Sequence, residues 1–552
     1  MKQSFAMCRG FLEHFAKFSI AELLNIVLPR RKALAELRAQ WGKPGTSERW
    51  LASEYFDLLR HGDASVRVDD KTYADLEMAA IFSSLDATVT PVGSQVLFRR
   101  LRTYDLPDEL AARYSVYTRL QSDVALREEL QLRMLRLKDE SNACIADFIF
   151  GELPPTPKYQ SWLFLWSLLS IVVLAAVIVL SWSVWIWIAV VFVNVAVMYR
   201  VYSRTLRDGE TLTGCLRLVK VADDLASSQR NSWLPQLTEL CDERRNRNDV
   251  VRTLRWWRSI FKIPFVEPAV ALLNAAFLVD LLVHFRAMKQ FARVRHKLAA
   301  SFKLVGEIDA AIAVASWLDY CPKHCRPTLI NEPVLEISDG RHPLLTNGVA
   351  NSILLDQRSI LVTGSNMAGK TTFIKMIGVN ALLAQTLGFC LASKATIPRA
   401  RIMASIQARH SVGSGKSHYF SEVETIQSLL AQKEQGDCAI FVVDELFSGT
   451  NTVERVAIAR AVLESLSELS LVLATTHDVE LQAVLKDHYD LYHFQESPDV
   501  DGFFDYKLRR GATTKRNAIR LLKEMGFPGE IIAKAMTYAK QQPEQALNDT
   551  ES

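Results

Sequence analysis

The sequence predicts a multidomain protein: an α-helical region over the first 330 residues, interrupted by an apolar two-helix hairpin, and then an α/β domain. Three observations predict this. Ser161 to Tyr199 contains no charged residue, although its flanks are rich in them. Short unbroken apolar runs, Ile360-Leu361-Val362, Ala439-Ile440-Phe441-Val442-Val443 and Leu471-Val472-Leu473-Ala474-Thr475-Thr476, have the pattern of parallel strands buried on both faces. The first of them runs into Gly364-Ser365-Asn366-Met367-Ala368-Gly369-Lys370-Thr371-Thr372, and Phe373-Ile374-Lys375-Met376-Ile377 then reads as the start of a helix.

Strand, glycine loop and helix in this order form the context in which G-x-x-x-x-G-K-[ST] binds phosphate. The glycines let the backbone wrap closely around phosphate oxygens, and the helix N-terminus points amide donors at them. Residues Gly364 to Thr372 are therefore candidate nucleotide-binding residues, with Lys370 reaching the β/γ-phosphates and Thr371 ligating Mg²⁺. The second apolar run ends in Asp444-Glu445, at the strand end where α/β sheets place ligands. Asp444 is expected to help hold Mg²⁺, and Glu445 to orient or deprotonate an attacking water. The third run ends in His477, expected near the γ-phosphate. The candidate catalytic residues are Glu445, His477 and Lys370.

These stretches resemble the MutS family. The loop with Asn366-Met367 resembles its Walker A, G-P-N-M-x-G-K-S-T, and Asp339-Gly340-Arg341-His342-Pro343 resembles the segment opening its ATPase domain. Gly413 to Val423, with Ser417 and Phe420, resembles S-G-R-S-T-F-M-x-E-M. Asp444-Glu445-Leu446-Phe447-Ser448-Gly449-Thr450-Asn451 resembles D-E-I-G-R-G-T-S, and Thr476-His477-Asp478 resembles T-H-Y. The resemblance implies an ABC-type P-loop ATPase that uses ATP and Mg²⁺ and works as a homodimer, with Ser417 reaching across the interface to the partner's nucleotide. Ser365 replaces the family's proline, Thr371 its serine, His418 its threonine and Ser448 its arginine. Thr371 keeps the hydroxyl, whereas the missing arginine puts the interface contacts at Ser448 in doubt.

Upstream, Leu85-Asp86-Ala87-Thr88-Val89-Thr90-Pro91-Val92-Gly93 resembles the start of the family's core, or lever, domain. Thr90 and Pro91 suit the N-cap and first turn of a helix running to Arg102. Glu307-Ile308-Asp309-Ala310 resembles the descending lever, and Tyr506 to Ala512 with Gly526-Phe527-Pro528 resembles the C-terminal helix-turn-helix that braces the dimer. No stretch resembles the mismatch-recognition domain, and no room is left for its connector domain. The expected domains are an N-terminal helical segment (1–52), the first part of the lever (53–157), the hairpin (158–203), the second part of the lever (204–330), the ATPase (331–510) and the C-terminal brace and tail (511–552).

The uncharged run suits two membrane helices and a turn near Ser181-Trp182-Ser183. Tryptophans 162, 166, 182, 185 and 187 gather near the proposed ends, and Lys158, Arg200, Arg204 and Arg207 flank them, which predicts a multi-pass membrane protein with both terminal parts cytoplasmic. The stretch Ile263 to Phe285 is apolar but carries Glu267, Asn274, Asp280 and His284, costly in lipid, and reads as a buried lever helix, with a third membrane span as the alternative. Arg244-Arg245-Asn246-Arg247 and Arg252 to Arg258 form the densest basic stretch, open to DNA phosphates, anionic headgroups or solvent alone. The net charge of +4 neither demands nor excludes such partners, and eight scattered cysteines suggest reduced thiols. Charged Arg9, Glu13 and Lys17 interrupt any signal-peptide core.

The expected function is a membrane-anchored MutS-like ATPase that couples ATP hydrolysis at a dimer interface to lever movement. The alternative is a membrane-tethered, DNA-binding ATPase acting on mismatched, branched or damaged DNA. The partners expected are a second copy of the chain, the lipid bilayer and a further membrane or cytoplasmic protein.

Overall fold

A computed structural model describes residues 30–45, 51–60, 67–153, 160–227, 235–260, 276–321, 323–365, 368–406, 418–434, 438–447, 451–496, 504–512 and 526–548. The chain forms two compact units: Met1–Ser65, Phe82–Leu101 and Ser115–Tyr320, and Val66–Ile81, Arg102–Tyr114 and Cys321–Ser552.

The first unit is helical. Its centre is the close pairing of α1 (Pro91–Leu101) with a later helix, Ala299–Tyr320. Thr90 caps α1 as its sequence predicts, its hydroxyl accepting from Gly93 N at 2.9 Å. The fully buried Asp309 carboxylate accepts from Val89 N, Thr90 N and the Thr90 hydroxyl at 2.9, 2.8 and 2.7 Å. Asp86 accepts from the Thr88 and Ser94 hydroxyls at 2.6 and 2.5 Å. The backbones meet this closely because Gly93 and Gly306 lack side chains: a Cβ at Gly306 would lie 2.4 Å from Val96 Cγ2, and one at Gly93 2.3 Å from the Asp309 carboxylate. A buried Arg100–Glu307 ion pair closes the same seam.

The uncharged run forms α2 (Gln160–Val179) and the start of α3 (Val184–Ala226). The chain reverses through residues 180–183, where Ser181 takes φ 53°, and Trp166 Nε1 on α2 donates to Asn194 Oδ1 on α3 at 2.7 Å. Trp162–Val179 is long and apolar enough to cross a membrane; the apolar part of α3, Val184–Val197, is shorter. The helix continues beyond this apolar part, past residue 203, to Ala226. Nothing after Tyr199 breaks the helix, and the Arg-, Leu- and Glu-rich residues that follow are good helix formers.

The basic stretch lies on α4 (Arg244–Ile260), where the structure narrows the sequence reading. Arg244 and Arg245 are exposed, but Arg247 is fully buried, donating to Asp223 Oδ1 at 2.7 Å and to the Leu240 carbonyl at 2.6 Å. It belongs to the interior and is withdrawn from any phosphate surface. Of the Ile263–Phe285 stretch, residues 261–275 lie outside the description; α5 spans Val279–Val294 and is preceded by Leu278 in the left-handed region. The helix Ala299–Tyr320 is α6.

The second unit holds two sheets. The smaller has strand order β1-β5-β2-β3, with β1 (Thr328–Ile330), β2 (Val334–Gly340), β3 (Asn351–Asp356) and β5 (Lys394–Pro398). The larger runs β10-β9-β4-β8-β7-β6, with β4 (Ser359–Thr363), β6 (Arg401–Ser405), β7 (Ala439–Asp444), β8 (Leu471–Thr476), β9 (Tyr489–Glu496) and β10 (Phe504–Arg510). All its pairings are parallel except β9 with β10. The three apolar runs are its strands β4, β7 and β8, buried on both faces as expected.

Residues 66–81 and 102–114, which the sequence reading gave to the lever, belong to this unit for a specific reason. On the outer edge of β6, alternate amides have no strand partner. Ile402 N donates to the Tyr104 hydroxyl (3.1 Å), Ala404 N to the Thr72 hydroxyl (2.9 Å) and Ile406 N to Asp75 Oδ2 (2.8 Å). Three side chains from the N-terminal segments thus seal an edge that would otherwise be open to another strand. At the other end of the unit, the final helix begins at Gly529 rather than at Pro528.

Asp309→Ala should leave three buried donors without an acceptor and cost about 3 kcal/mol or more. Denaturant unfolding of the full chain, followed by helical circular dichroism, is expected to show an earlier loss of the helical unit.

Candidate active site

The site follows from the parallel order β4-β8-β7, which brings the carboxyl ends of three strands side by side. From β4 the chain turns sharply at Gly364, with φ 137°, and enters α7 (Lys370–Thr386) through Gly369, with φ 95°. Both are conformations that residues with a Cβ avoid. A Cβ at Gly364 would also lie 2.8 Å from the Phe494 carbonyl on β9. Asn366 and Met367 lie outside the described residues, as do Ser417 and Ser448.

Lys370, the first residue of α7, points back into this loop. Its Nζ donates to the Gly364 carbonyl at 2.7 Å, approaches the His477 ring at 3.0 Å and lies 3.8 Å from Glu445 Oε1. Burial pushes this lysine down to about 8, although Glu445 and Asp444 pull the other way. Glu445 follows β7 in the left-handed region, φ 47°, and its carboxylate is hydrogen-bonded to His477 Nε2. Burial would raise its pKa, but the His477 bond and the charges of His477 and Lys370 outweigh that and hold it below the usual carboxylate range. Glu445, His477 and Lys370, far apart in sequence, therefore form one hydrogen-bonded cluster.

A second cluster adjoins it. Thr371 Oγ1 donates to Asp444 Oδ2 at 2.8 Å, and the Thr475 hydroxyl donates to Asp444 Oδ1. A hydroxyl and a carboxylate make a hard oxygen set of the kind Mg²⁺ prefers. The buried Ser365 hydroxyl, in the loop, has no hydrogen-bond partner among the described residues. Such an atom fits a loop shaped for an external acceptor.

Beside the loop opens a cavity of about 650 Å³, lined in part by His342, Asn351, Gly369, Phe373, Phe494 and Tyr506. Sequence reading placed Gly369 and the further lining residue Thr372 at a site, and Phe373 follows them on α7. His342, Asn351, Phe494 and Tyr506 come from strands and loops separated in sequence, and no local spacing marks them. Sequence reading also missed Arg455, which forks both ends of its guanidinium onto Asp478 at 2.6 and 3.0 Å. This ties helix Thr452–Leu466 to the residue after His477. Asp478 stands where the resembling motif T-H-Y has tyrosine.

Residues 360–542 match the MutS domain V family. The chain is 30% identical over 270 residues to the DNA mismatch repair protein MutS of Thermus aquaticus, a match covering 47% of this chain and 33% of the relative. It is 30% identical over 273 residues to the protein of that name from Leuconostoc mesenteroides subsp. mesenteroides, and 31% identical over 245 residues to that of Thermotoga petrophila, covering 32% and 30% of those chains. The chain thus spans about a third of the length of these relatives.

Gly364→Ala meets both strained backbone and the Phe494 carbonyl, whereas Gly511→Ala, at φ 102° with nothing within 4 Å, meets strain alone. The first should cost about 1–3 kcal/mol, and more than the second. Thermal unfolding of the two variants beside the unaltered chain measures the difference.

Proposed function

Since this chain is a MutS-family protein, we propose that its second unit binds and hydrolyses MgATP at the glycine loop, in a homodimer, and that the helical unit transmits this to a bilayer crossed by α2 and the apolar part of α3. The observation that carries the catalytic half is the convergence of Lys370, Glu445, His477 and the Thr371–Asp444 pair on one sheet edge.

In this reading the loop amides and Lys370 hold the phosphates, and the neighbouring cavity takes the nucleoside. Thr371 and Asp444 hold Mg²⁺, which supplies neutralisation of the phosphate charge. Lys370 exchanges its contacts with the Gly364 carbonyl and His477 for phosphate oxygens. Glu445, already ionised, is then free to accept a proton from water, while His477 donates toward the terminal phosphate. Ser417, by its likeness to the family motif, serves the partner's nucleotide.

The membrane half rests on an apolar exterior. Trp162, Leu165, Ile171, Val172 and Val179 on α2, and Trp185 and Phe192 on α3, are all exposed. A contiguous apolar surface of this kind calls for a non-aqueous partner. With Arg200 following, the α3 segment reaches the interface by local thinning or snorkelling.

A second reading is favoured by the relatives' names: the ATPase acts on DNA. Arg244 and Arg245 are then the surface to test, since Arg247 is buried. Steady-state hydrolysis by the detergent-purified protein, with and without heteroduplex, branched and single-stranded DNA, separates the two. Stimulation that fades with salt and disappears in Arg244→Glu/Arg245→Glu supports the DNA reading; indifference to every DNA supports the bilayer.

Glu445→Gln should lower turnover by about 100-fold or more while nucleotide still binds, and Lys370→Ala should weaken binding itself. Unchanged turnover in both would refute the site.

Nucleotide affinity should also depend on pH. Below about 8 Lys370 is an ammonium; above it, binding must take up a proton. The dissociation constant should therefore climb toward about tenfold per pH unit above 8. Lys370→Arg, which stays charged, should flatten that climb in a fluorescent-nucleotide titration.

A further inference from the structure

The buried face of α2 is polar. Among the exposed apolar residues of this helix, Ser167 and Ser170 are buried, as is Asn194 on α3. All three turn to the same place. Ser170 Oγ and Asn194 Nδ2 both donate to the Ala276 carbonyl, at 2.6 and 2.7 Å, and Ser167 Oγ donates to the Phe277 carbonyl at 2.6 Å. Leu163 packs with Leu278, Leu281 and Phe285, and Trp166 and Val197 pack against that cluster. A helix pair with its apolar side outward and its hydroxyls and amide inward has the inverse of a water-soluble pattern.

The depth of this contact follows from helix geometry. Ser170 lies ten residues after Gln160, and Asn194 ten residues after Val184. At about 1.5 Å per residue, each is about 15 Å from the start of its helix. That is half the hydrocarbon thickness of about 30 Å. Both rulers place the Ala276 carbonyl at mid-bilayer. Ala276 and Phe277 are the last helical residues before the break at Leu278. Carbonyls freed by a helix break at that depth must find internal partners, and here the side chains of α2 and α3 supply them.

We infer that residues 276–285 are a third membrane-embedded element, running from mid-bilayer to the cytoplasmic face, with the helix break at its start held by Ser167, Ser170 and Asn194. This rests on the proposal that α2 and α3 lie in a bilayer, and for the end of Ile263–Phe285 it favours the alternative of membrane entry over a buried lever helix. Among the polar residues that argued against lipid, Asp280 is the second residue of α5. His284, one turn further toward the cytoplasm, is buried and lies 3.7 Å from Asp208 on α3. Exposed Arg286 and Lys289 follow, as the chain leaves the apolar layer. The embedded end is then continuous, through α5 and residues 295–298, with α6 and its Asp309. A movement of the helical unit therefore has a direct lever on the bilayer interior.

The test reconstitutes the full chain in phosphatidylcholine vesicles containing a phospholipid with a diazirine at mid-acyl chain, followed by photolysis and peptide mapping. Adducts on both 162–179 and the half-buried positions Phe277, Val279, Leu282 and Val283 are expected. Adducts on 162–179 with none on 277–283 overturn this inference and leave the membrane reading standing. Adducts on neither overturn both. In Ser170→Ala/Asn194→Ala, adducts on 277–283 should fall severalfold while those on 162–179 persist; an unchanged pattern would show that the polar contacts do not hold the segment.

Discussion

A buried ammonium has to be surrounded by acceptors, and the position of Lys370 organises the second unit around that need. Its charge sits at the entrance to α7, out of water, within reach of the Gly364 carbonyl, His477 and Glu445. Each of those acceptors arrives on a different parallel strand. The order β4-β8-β7 is what lets three strand ends contribute to one point, and the positive φ of Gly364 and Glu445 is what turns the chain there. The ammonium is thus already matched by a carbonyl, an imidazole and a carboxylate. On the proposed function, a phosphate binds there by exchanging partners with Lys370 rather than by entering an unmatched positive site.

The helical unit solves the opposite problem. Two of its buried polar groups are acceptors in need of donors: the Asp309 carboxylate between α1 and α6, and the Ala276 carbonyl between α2 and α3. In both places small or hydroxyl-bearing residues let two elements come close enough for side chain to meet backbone. Apolar burial brings the helices together, but these bonds choose the register, because each is lost if a helix slides by one residue.

The sequence made legible whatever is set locally. Three apolar runs, the glycine spacing around Lys370 and the Thr90-Pro91 cap are dictated by neighbours a few residues away, and each stands where the pattern put it. What stayed hidden depends on distant chain. Arg247 reads as one more surface arginine until Asp223 and the Leu240 carbonyl are beside it. Tyr104, Thr72 and Asp75 carry no sign that they cap β6, roughly 300 residues on, so a boundary drawn by composition cut through the unit they complete. The cavity beside the glycine loop is likewise assembled from residues that no spacing links.

The knot at Asp309 has a consequence for how the protein is made. Val89 and Thr90 wait 220 and 219 residues for their acceptor. During synthesis α2, α3 and the residues around Ala276 all emerge before Asp309 does. The helical unit is therefore still an open chain when its most apolar segments leave the ribosome, and those segments must find their surroundings before the unit that carries them can close. On the proposed membrane reading, the order of the chain makes insertion the first event and assembly of the seam the last.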